Sequence, residues 1–168
     1  MSLSTEKYFF ATPVSYMVAE ASDKGLTSLH FFKGKPGDKE HSMTRHPVLM
    51  STRSQVLEYF NGKRRVFDIP LDWTEATDFY REVWKILVMI PFGKTRSYGD
   101  IARQLGDINK ARAVGLANGR NPIALIVPCH RVIGSDGSLT GYAGGIDIKL
   151  SLLQLENPGH WVEQVKLF

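Results

Sequence analysis

The stretch Pro128-Cys129-His130-Arg131-Val132-Ile133, PCHRVI, holds the only cysteine of the chain, with a histidine directly after it. Its reading decides how the second half of the protein folds. Ahead of it, Ala124 to Val127 is a short apolar run that reads as a strand. If that strand continued, Cys129 and His130 would face opposite ways, because successive side chains alternate across a strand. Contact between thiol and imidazole therefore needs a turn at Pro128-Cys129-His130, and a proline at its head favours one. A free thiol titrates near pH ~8.5, so a reactive one needs a base or a cation beside it. A lone cysteine is more often a small buried hydrophobe. The surrounding residues have to decide.

Composition sets outer limits. Of 168 residues, 43% are apolar and 23% charged, enough for one packed domain or two small ones. A single cysteine excludes an internal disulfide and a four-cysteine zinc site. No apolar run approaches the roughly 20 residues of a membrane span, and Met1 to Phe10 lacks the layout of a secretory signal. A free thiol next to histidine suits a reducing compartment, so a cytoplasmic location is expected. The net charge is +4. It is concentrated: from Lys94 to Arg131 seven cations meet only Asp100 and Asp107, an excess of five. Such a segment attracts a polyanion, although a solvated basic face is the plainer account.

Working outward, the residues before PCHRVI read as two short helices. Ser97-Tyr98-Gly99-Asp100 is a capping-box variant that starts the first, and Gly106 breaks it. Asp107 or Asn109 can cap the second, Lys110 to about Asn118, which ends at Gly119. Two helices across a short glycine-containing turn match a helix-turn-helix. Before them, Glu75 to Met89 carries Phe79, Val83, Ile86, Leu87 and Ile90 at helical spacing. After the cysteine come a turn at Ser135-Asp136-Gly137 and a glycine-rich loop, Gly141 to Gly145. A last helix follows, capped by Asp147, with Ile148, Leu152 and Leu155 on its face, and stops at Asn157-Pro158-Gly159. The first part alternates strands (Tyr8–Phe10, Ser15–Ala21, Leu26–Phe32, Val66–Leu71) with one helix, Val48 to Phe60. Proline and charge near Pro70–Glu75 mark a boundary, giving domains at 1–75 and 76–168.

The chemistry follows from these placements. The second helix of the helix-turn-helix carries small residues, among them Ala111, Ala113 and Gly115, which let a backbone approach a groove closely. Arg112 is its one long side chain near the middle, able to reach into stacked bases. Plain helix packing explains alanine and glycine equally well. Glu156 can orient His130 and hold one tautomer, making a Cys-His-Glu set. Tyr98 can donate a phenolic proton to a ligand.

Taken together, the pattern resembles the O6-alkylguanine-DNA alkyltransferase family. The resemblance rests on PCHRVI at 128–133, SYGDIA at 97–102, ARAVG at 111–115, Asn121-Pro122, GYAGG at 141–145 and Glu156, all in order and spacing. It is strong from Phe79 to Glu156 and coarse before that. It implies an α/β protein: an N-terminal ribonuclease-H-like strand–helix domain and a C-terminal helical domain with a winged-helix-like helix-turn-helix. It implies repair of double-stranded DNA carrying O6-alkylguanine by irreversible, single-use transfer of the alkyl group to Cys129 after base flipping. Activity on O4-alkylthymine, preferred alkyl group and cooperativity on DNA stay open; a monomer with no cofactor is implied.

The resemblance also implies roles. His130 takes the thiol proton through a water, oriented by Glu156. Tyr98 protonates the leaving base, and Asn121 braces the turn. Arg112 fills the gap in the stack, with Ala111, Ala113, Gly115 and Ser97 against DNA in the minor groove. Val132, Tyr142, Ala143 and Gly144 form the pocket. Two departures stand out. The N-terminal part has no cysteine for the zinc site of some relatives, and His41 and His46 are poor substitutes, so no metal is expected. Ala124 and Ala143 stand where some relatives have proline and serine. Three rivals remain: a damage-binding relative without chemistry, a thiol hydrolase using Cys129 and His130, and a sequence-specific helix-turn-helix regulator.

Overall fold

The computed structural model describes residues 6–37 and 43–161. His41 and the leading Met1-Ser2-Leu3 lie outside the described residues. The chain divides into two compact units, Met1–Glu75 with Pro122–Ala124, and Ala76–Asn121 with Leu125–Phe168.

In the first unit, β1 (Tyr8–Ala11), β2 (Tyr16–Ala21) and β3 (Leu26–Phe32) form an antiparallel meander in the order β1-β2-β3. β2 alternates buried and half-buried positions along its length, the signature of a sheet with one covered face. Helix α1 (Pro47–Phe60) buries Leu49, Thr52, Val56 and Tyr59. His46 caps it: its Nδ1 accepts from Val48 N–H at 3.2 Å, and its Nε2 lies 3.2 Å from Ser22 O. That explains His46 as a structural residue. The strand expected over Val66–Leu71 is absent. Only Leu71 pairs, as an isolated bridge to Leu26, and Val66 is exposed. Alternation alone did not make a strand, because Pro70 ends the run with no N–H to donate.

The second unit opens with α2 (Asp78–Val88), capped by Thr77. Its buried face is Val83, Trp84 and Leu87, continued by Ile90. Trp84 takes the place that spacing assigned to Ile86 and Phe79, which stay half-buried; its indole N–H donates to Ala117 O at 2.9 Å. Strand β4 (Arg96–Ser97) leads into α3 (Tyr98–Gln104). The capping box is reciprocal: Asp100 N–H donates to Ser97 Oγ, and Ser97 N–H to Asp100 Oδ2, each at 3.0 Å. Asp107 caps a single 3-10 turn, Ile108–Lys110, and α4 (Ala111–Gly119) follows. Then come a 3-10 turn at Cys129–Arg131, β5 (Val132–Ile133) and α5 (Ile146–Glu156). β4 and β5 pair in parallel. No described helix is long and apolar enough to cross a membrane.

Helix α5 differs from its expected form in its cap and in its buried face. Asp147 does not cap it; Gly145 does, at φ +101°, a conformation that needs no β-carbon. The buried face is Lys149, Leu152, Leu153 and Glu156. Ile148 and Leu155 are half-buried.

Candidate active site

The approach to Cys129 is a set of turns rather than the strand expected at Ala124–Val127. Asn121, buried, donates from Nδ2 to Val127 O at 2.8 Å and clasps the segment between them. Leu125 inside the clasp has φ +70°, the one non-glycine residue with positive φ among the described residues. A side chain that bonds backbone nearby offers an alternative to a sheet ladder, and here it prevails over β propensity. Cys129 N–H donates to Val127 O at 2.8 Å, and Arg131 N–H to Pro128 O at 2.9 Å. Cys129 and His130 therefore lie within one tight turn and not along a continued strand. From α4, buried Asn118 reaches the Cys129 carbonyl at 3.5 Å.

Cys129, His130, Arg131 and Glu156 are all buried. His130 Nε2 lies 2.9 and 3.2 Å from the two Glu156 oxygens. An ionised carboxylate only accepts, so Nε2 carries the proton and Nδ1 keeps its lone pair. Nδ1 is buried with no hydrogen-bond partner among the described residues. Arg131 shares the same carboxylate, with Nε 2.6 Å from Oε1, and its Nη1 donates to Ile90 O at 2.6 Å. Its guanidinium also lies 5.9 Å from the Phe92 ring centroid.

The electrostatics follow from burial and from these partners. Burial alone would raise the Glu156 carboxyl, but His130 and Arg131 outweigh it and hold it below the usual range. Burial lowers His130, and the Arg131 and Lys149 charges add to that against the pull of Glu156. Burial pushes the Cys129 thiol up; a hydrogen bond from Asn121 and the Lys149 charge oppose it without overcoming it. The resting pair is thus a neutral thiol beside a neutral imidazole, with an ionised carboxylate behind. Lys149 is fully buried, and burial brings it down to about 8. Its Nζ donates to Val132 O at 2.7 Å and to Thr140 O at 3.1 Å.

Tyr98 is tied to the glycine-loop side: its hydroxyl donates to Thr140 O at 3.2 Å. Tyr142, Gly144 and Gly145 are half-buried and Ala143 exposed, with Gly145 N–H closing a turn on Tyr142 O at 2.9 Å. Both backbone groups of Val132 are engaged, its N–H by Cys129 O and its carbonyl by Lys149. On α4, Arg112 and Ala113 are exposed, Ala111 and Gly115 half-buried, while Val114, Ala117 and Asn118 face inward. A β-carbon at Gly115 would stand 3.8 Å from the Tyr98 ring, so the two helices of the motif meet there. Ser97 is occupied as the cap of α3.

Sequence reasoning missed Arg131, Lys149 and Asn118. Arg131 lay inside the quoted motif without a role. Lys149 and Glu156 stand two helical turns apart on α5 and share the spacing i, i+3, i+4, i+7 with Leu152 and Leu153; that face carried the signal. Among the described residues, no cluster of three or more potential metal ligands occurs.

Residues 78–158 match the family model described as 6-O-methylguanine DNA methyltransferase, DNA binding domain. Residues 7–73 match the ribonuclease-like domain of the same description. The chain is 46% identical over 149 residues to the methylated-DNA–protein-cysteine methyltransferase of Methanosarcina acetivorans, which covers 88% of this chain and 95% of that one. It belongs to the 6-O-methylguanine DNA methyltransferase family. The family's DNA binding domain spans every residue of the site from Tyr98 to Glu156. Its ribonuclease-like domain bears out the fold expected for the first part. A crystal structure of the Mycobacterium tuberculosis O6-methylguanine methyltransferase is similar over 98% of this chain and 99% of its own, at 41% identity and a TM-score of 0.79. A structure of Mycobacterium tuberculosis OGT in complex with DNA is similar at 44% identity and a TM-score of 0.79, covering 90% of this chain and 92% of that one.

Proposed function

We propose that this protein repairs double-stranded DNA by moving the alkyl group of O6-alkylguanine onto Cys129, once per molecule. The observation that carries the reading is the His130 imidazole. Its Nε2 is committed to Glu156, which leaves a buried basic nitrogen on the residue next to the only thiol. The name of the relatives and the match to the family's DNA binding domain support the same reaction.

The damaged base swings out of the stack, and Arg112 fills the space it leaves. His130 takes the thiol proton at Nδ1, through one water, while Cys129 Sγ attacks the alkyl carbon. The S–C bond forms and the C–O6 bond breaks. Tyr98 gives its proton to the departing guanine at N3, so that guanine leaves neutral, and the imidazolium proton then restores the phenol. The net result is a thioether on Cys129 and a proton carried from thiol to guanine. Asn121 holds the turn, and Val132, Tyr142, Ala143 and Gly144 line the pocket. Ala111, Ala113, Gly115 and Ser97 lie along the DNA, in the minor groove. No cofactor takes part, and the protein acts as a monomer in a reducing compartment such as the cytosol. A thioether has no easy return path, so each molecule acts once.

Intact mass after mixing with an oligonucleotide containing one O6-methylguanine tests this. The expected result is a gain of one methylene unit at Cys129, saturating at one per protein and absent in Cys129→Ser. Tight binding without mass gain would leave a damage-binding protein. Neither binding nor gain would return the thiol-hydrolase reading.

A further inference from the structure

Two buried acceptors near Cys129 have no hydrogen-bond partner among the described residues: His130 Nδ1 and Asn118 Oδ1. The transfer uses the first as its base. The second is not used by it. Asn118 is 4% exposed and lies on the inward side of α4 with Val114 and Ala117, on the helix whose outer side carries Arg112. Its Nδ2 reaches the Cys129 carbonyl at 3.5 Å. A carbonyl only accepts, so the NH2 end of the amide faces it, and Oδ1 is left for another donor. A buried amide oxygen without a donor is costly, so the position calls for one.

The substrate supplies it. Alkylation at O6 removes the proton from N1 of guanine. N1, N3, N7 and the ether O6 then only accept, and N9 is bound to the sugar. The 2-amino group is the one donor left on the base, and it lies on the same edge as O6, across N1. The backbone carbonyls beside the thiol are engaged: Cys129 O accepts from Val132 N–H and Asn118 Nδ2, and Val132 O from Lys149 Nζ. A base held with its alkyl carbon at Cys129 Sγ therefore meets in Asn118 Oδ1 an acceptor with its capacity free.

We propose that Asn118 is a specificity-determining residue: its Oδ1 accepts a hydrogen bond from the 2-amino group of O6-alkylguanine, and so favours guanine over damaged bases that lack this donor. This rests on alkyl transfer to Cys129 as the reaction. O6-methylhypoxanthine is the same base with hydrogen in place of the amine, and O4-methylthymine has no N–H at all. Either one leaves Oδ1 buried and unpaired in the complex. A site built around a donor on its substrate rejects the analogue without it.

Second-order rates of transfer would be measured on two duplex oligonucleotides of one sequence, carrying O6-methylguanine or O6-methylhypoxanthine, for the wild type and Asn118→Leu. The wild type is expected to prefer the amine-bearing base about tenfold or more, and Asn118→Leu to cut that preference about fivefold or more. A general loss of packing slows both substrates alike and cancels in the ratio. A preference reduced by less than about twofold in Asn118→Leu would overturn the proposal, because the amine would then be read elsewhere. So would a wild type indifferent to the amine, a result that needs no variant. Should Asn118→Leu fail to fold, Asn118→Met, unbranched and able to fill irregular space, takes its place with the same expectation. Failure of the transfer reading itself is separate, since the wild type would then gain no methyl group from either oligonucleotide.

Discussion

His130 Nε2 lies 2.9 Å from Glu156 Oε2, and both residues are buried. This pairing fixes which imidazole nitrogen is free, and so which atom can act as base. Because Arg131 Nε sits 2.6 Å from the other oxygen, one carboxylate serves a neutral ring and a permanent cation together. The consequences can be measured.

Glu156→Gln removes the charge and leaves Arg131 buried without its counter-ion. Breaking a buried pair in this way costs about 3–5 kcal/mol, readable by urea unfolding. The surviving folded fraction should transfer alkyl groups more slowly, because the amide no longer selects the tautomer. In the wild type, the Glu156 pKa is held below its ordinary value. The stability it supplies is full above the unfolded pKa of roughly 4.3 and is lost as pH falls through the folded value. Unfolding followed downward from pH 6 should show that loss, and Glu156→Gln should lack it.

Arg112 is exposed on α4, so Arg112→Ala should change stability by no more than about 0.5 kcal/mol. Its effect belongs to DNA. Affinity for duplex should weaken, and the slope of log affinity against log salt should change by no more than about one unit. Thiol modification by iodoacetamide should proceed at the wild-type rate. Unchanged DNA binding would remove Arg112 from the interface.

Lys149 makes stability rise with pH over an unusual range. Its folded pKa is about 8, below the ordinary 10.5, so the unfolded chain binds more protons between those values. Stability should therefore increase from about pH 8 upward, by about 3 kcal/mol in full. Cys129, whose thiol is raised by burial, works the opposite way above its ordinary value. The difference between wild type and Lys149→Met in denaturation at pH 7.5 and 9 isolates the lysine. A constant difference would show that Lys149 does not titrate there.

Gly93 has φ +79°, and a β-carbon on it would stand 3.0 Å from Glu156 O. Gly93→Ala should cost about 1–2 kcal/mol from the backbone conformation alone. The crowding falls on the end of α5 that carries Glu156, so transfer should slow as well. Calorimetry and single-turnover rates check the two effects separately.

Much of this arrangement was legible in the sequence. The capping box at Ser97 and Asp100, the break at Gly106 and the turn demanded at Pro128-Cys129-His130 are local and were read from local chemistry. The Cys-His-Glu set was legible because its members are few and chemically distinctive. What failed was long-range. The run Val66–Leu71 has strand alternation, but a strand exists only where a partner edge accepts it, and only Leu71 found one. Ala124–Val127 has the composition of a strand, but the Asn121 clasp turned it. On α5, a face assigned one position off concealed Lys149, because a lysine is not expected among leucines. Arg131 escaped notice because its partner, Glu156, had already been given to His130.

Leu125 has a further consequence, for which changes this position can accept. Its φ is +70°, and it is 1% exposed. The residues at ease with that backbone are glycine and asparagine, and neither supplies a buried apolar side chain. Glycine would relax the chain and leave a hole; asparagine would bury an amide. Valine and isoleucine would fill much of the volume while suffering more from the backbone than leucine does. Every route away from leucine thus loses on one count what it gains on the other. The position four residues before the nucleophile is a compromise with no cheap exit, held by a residue suited to its surroundings and ill-suited to its own main chain.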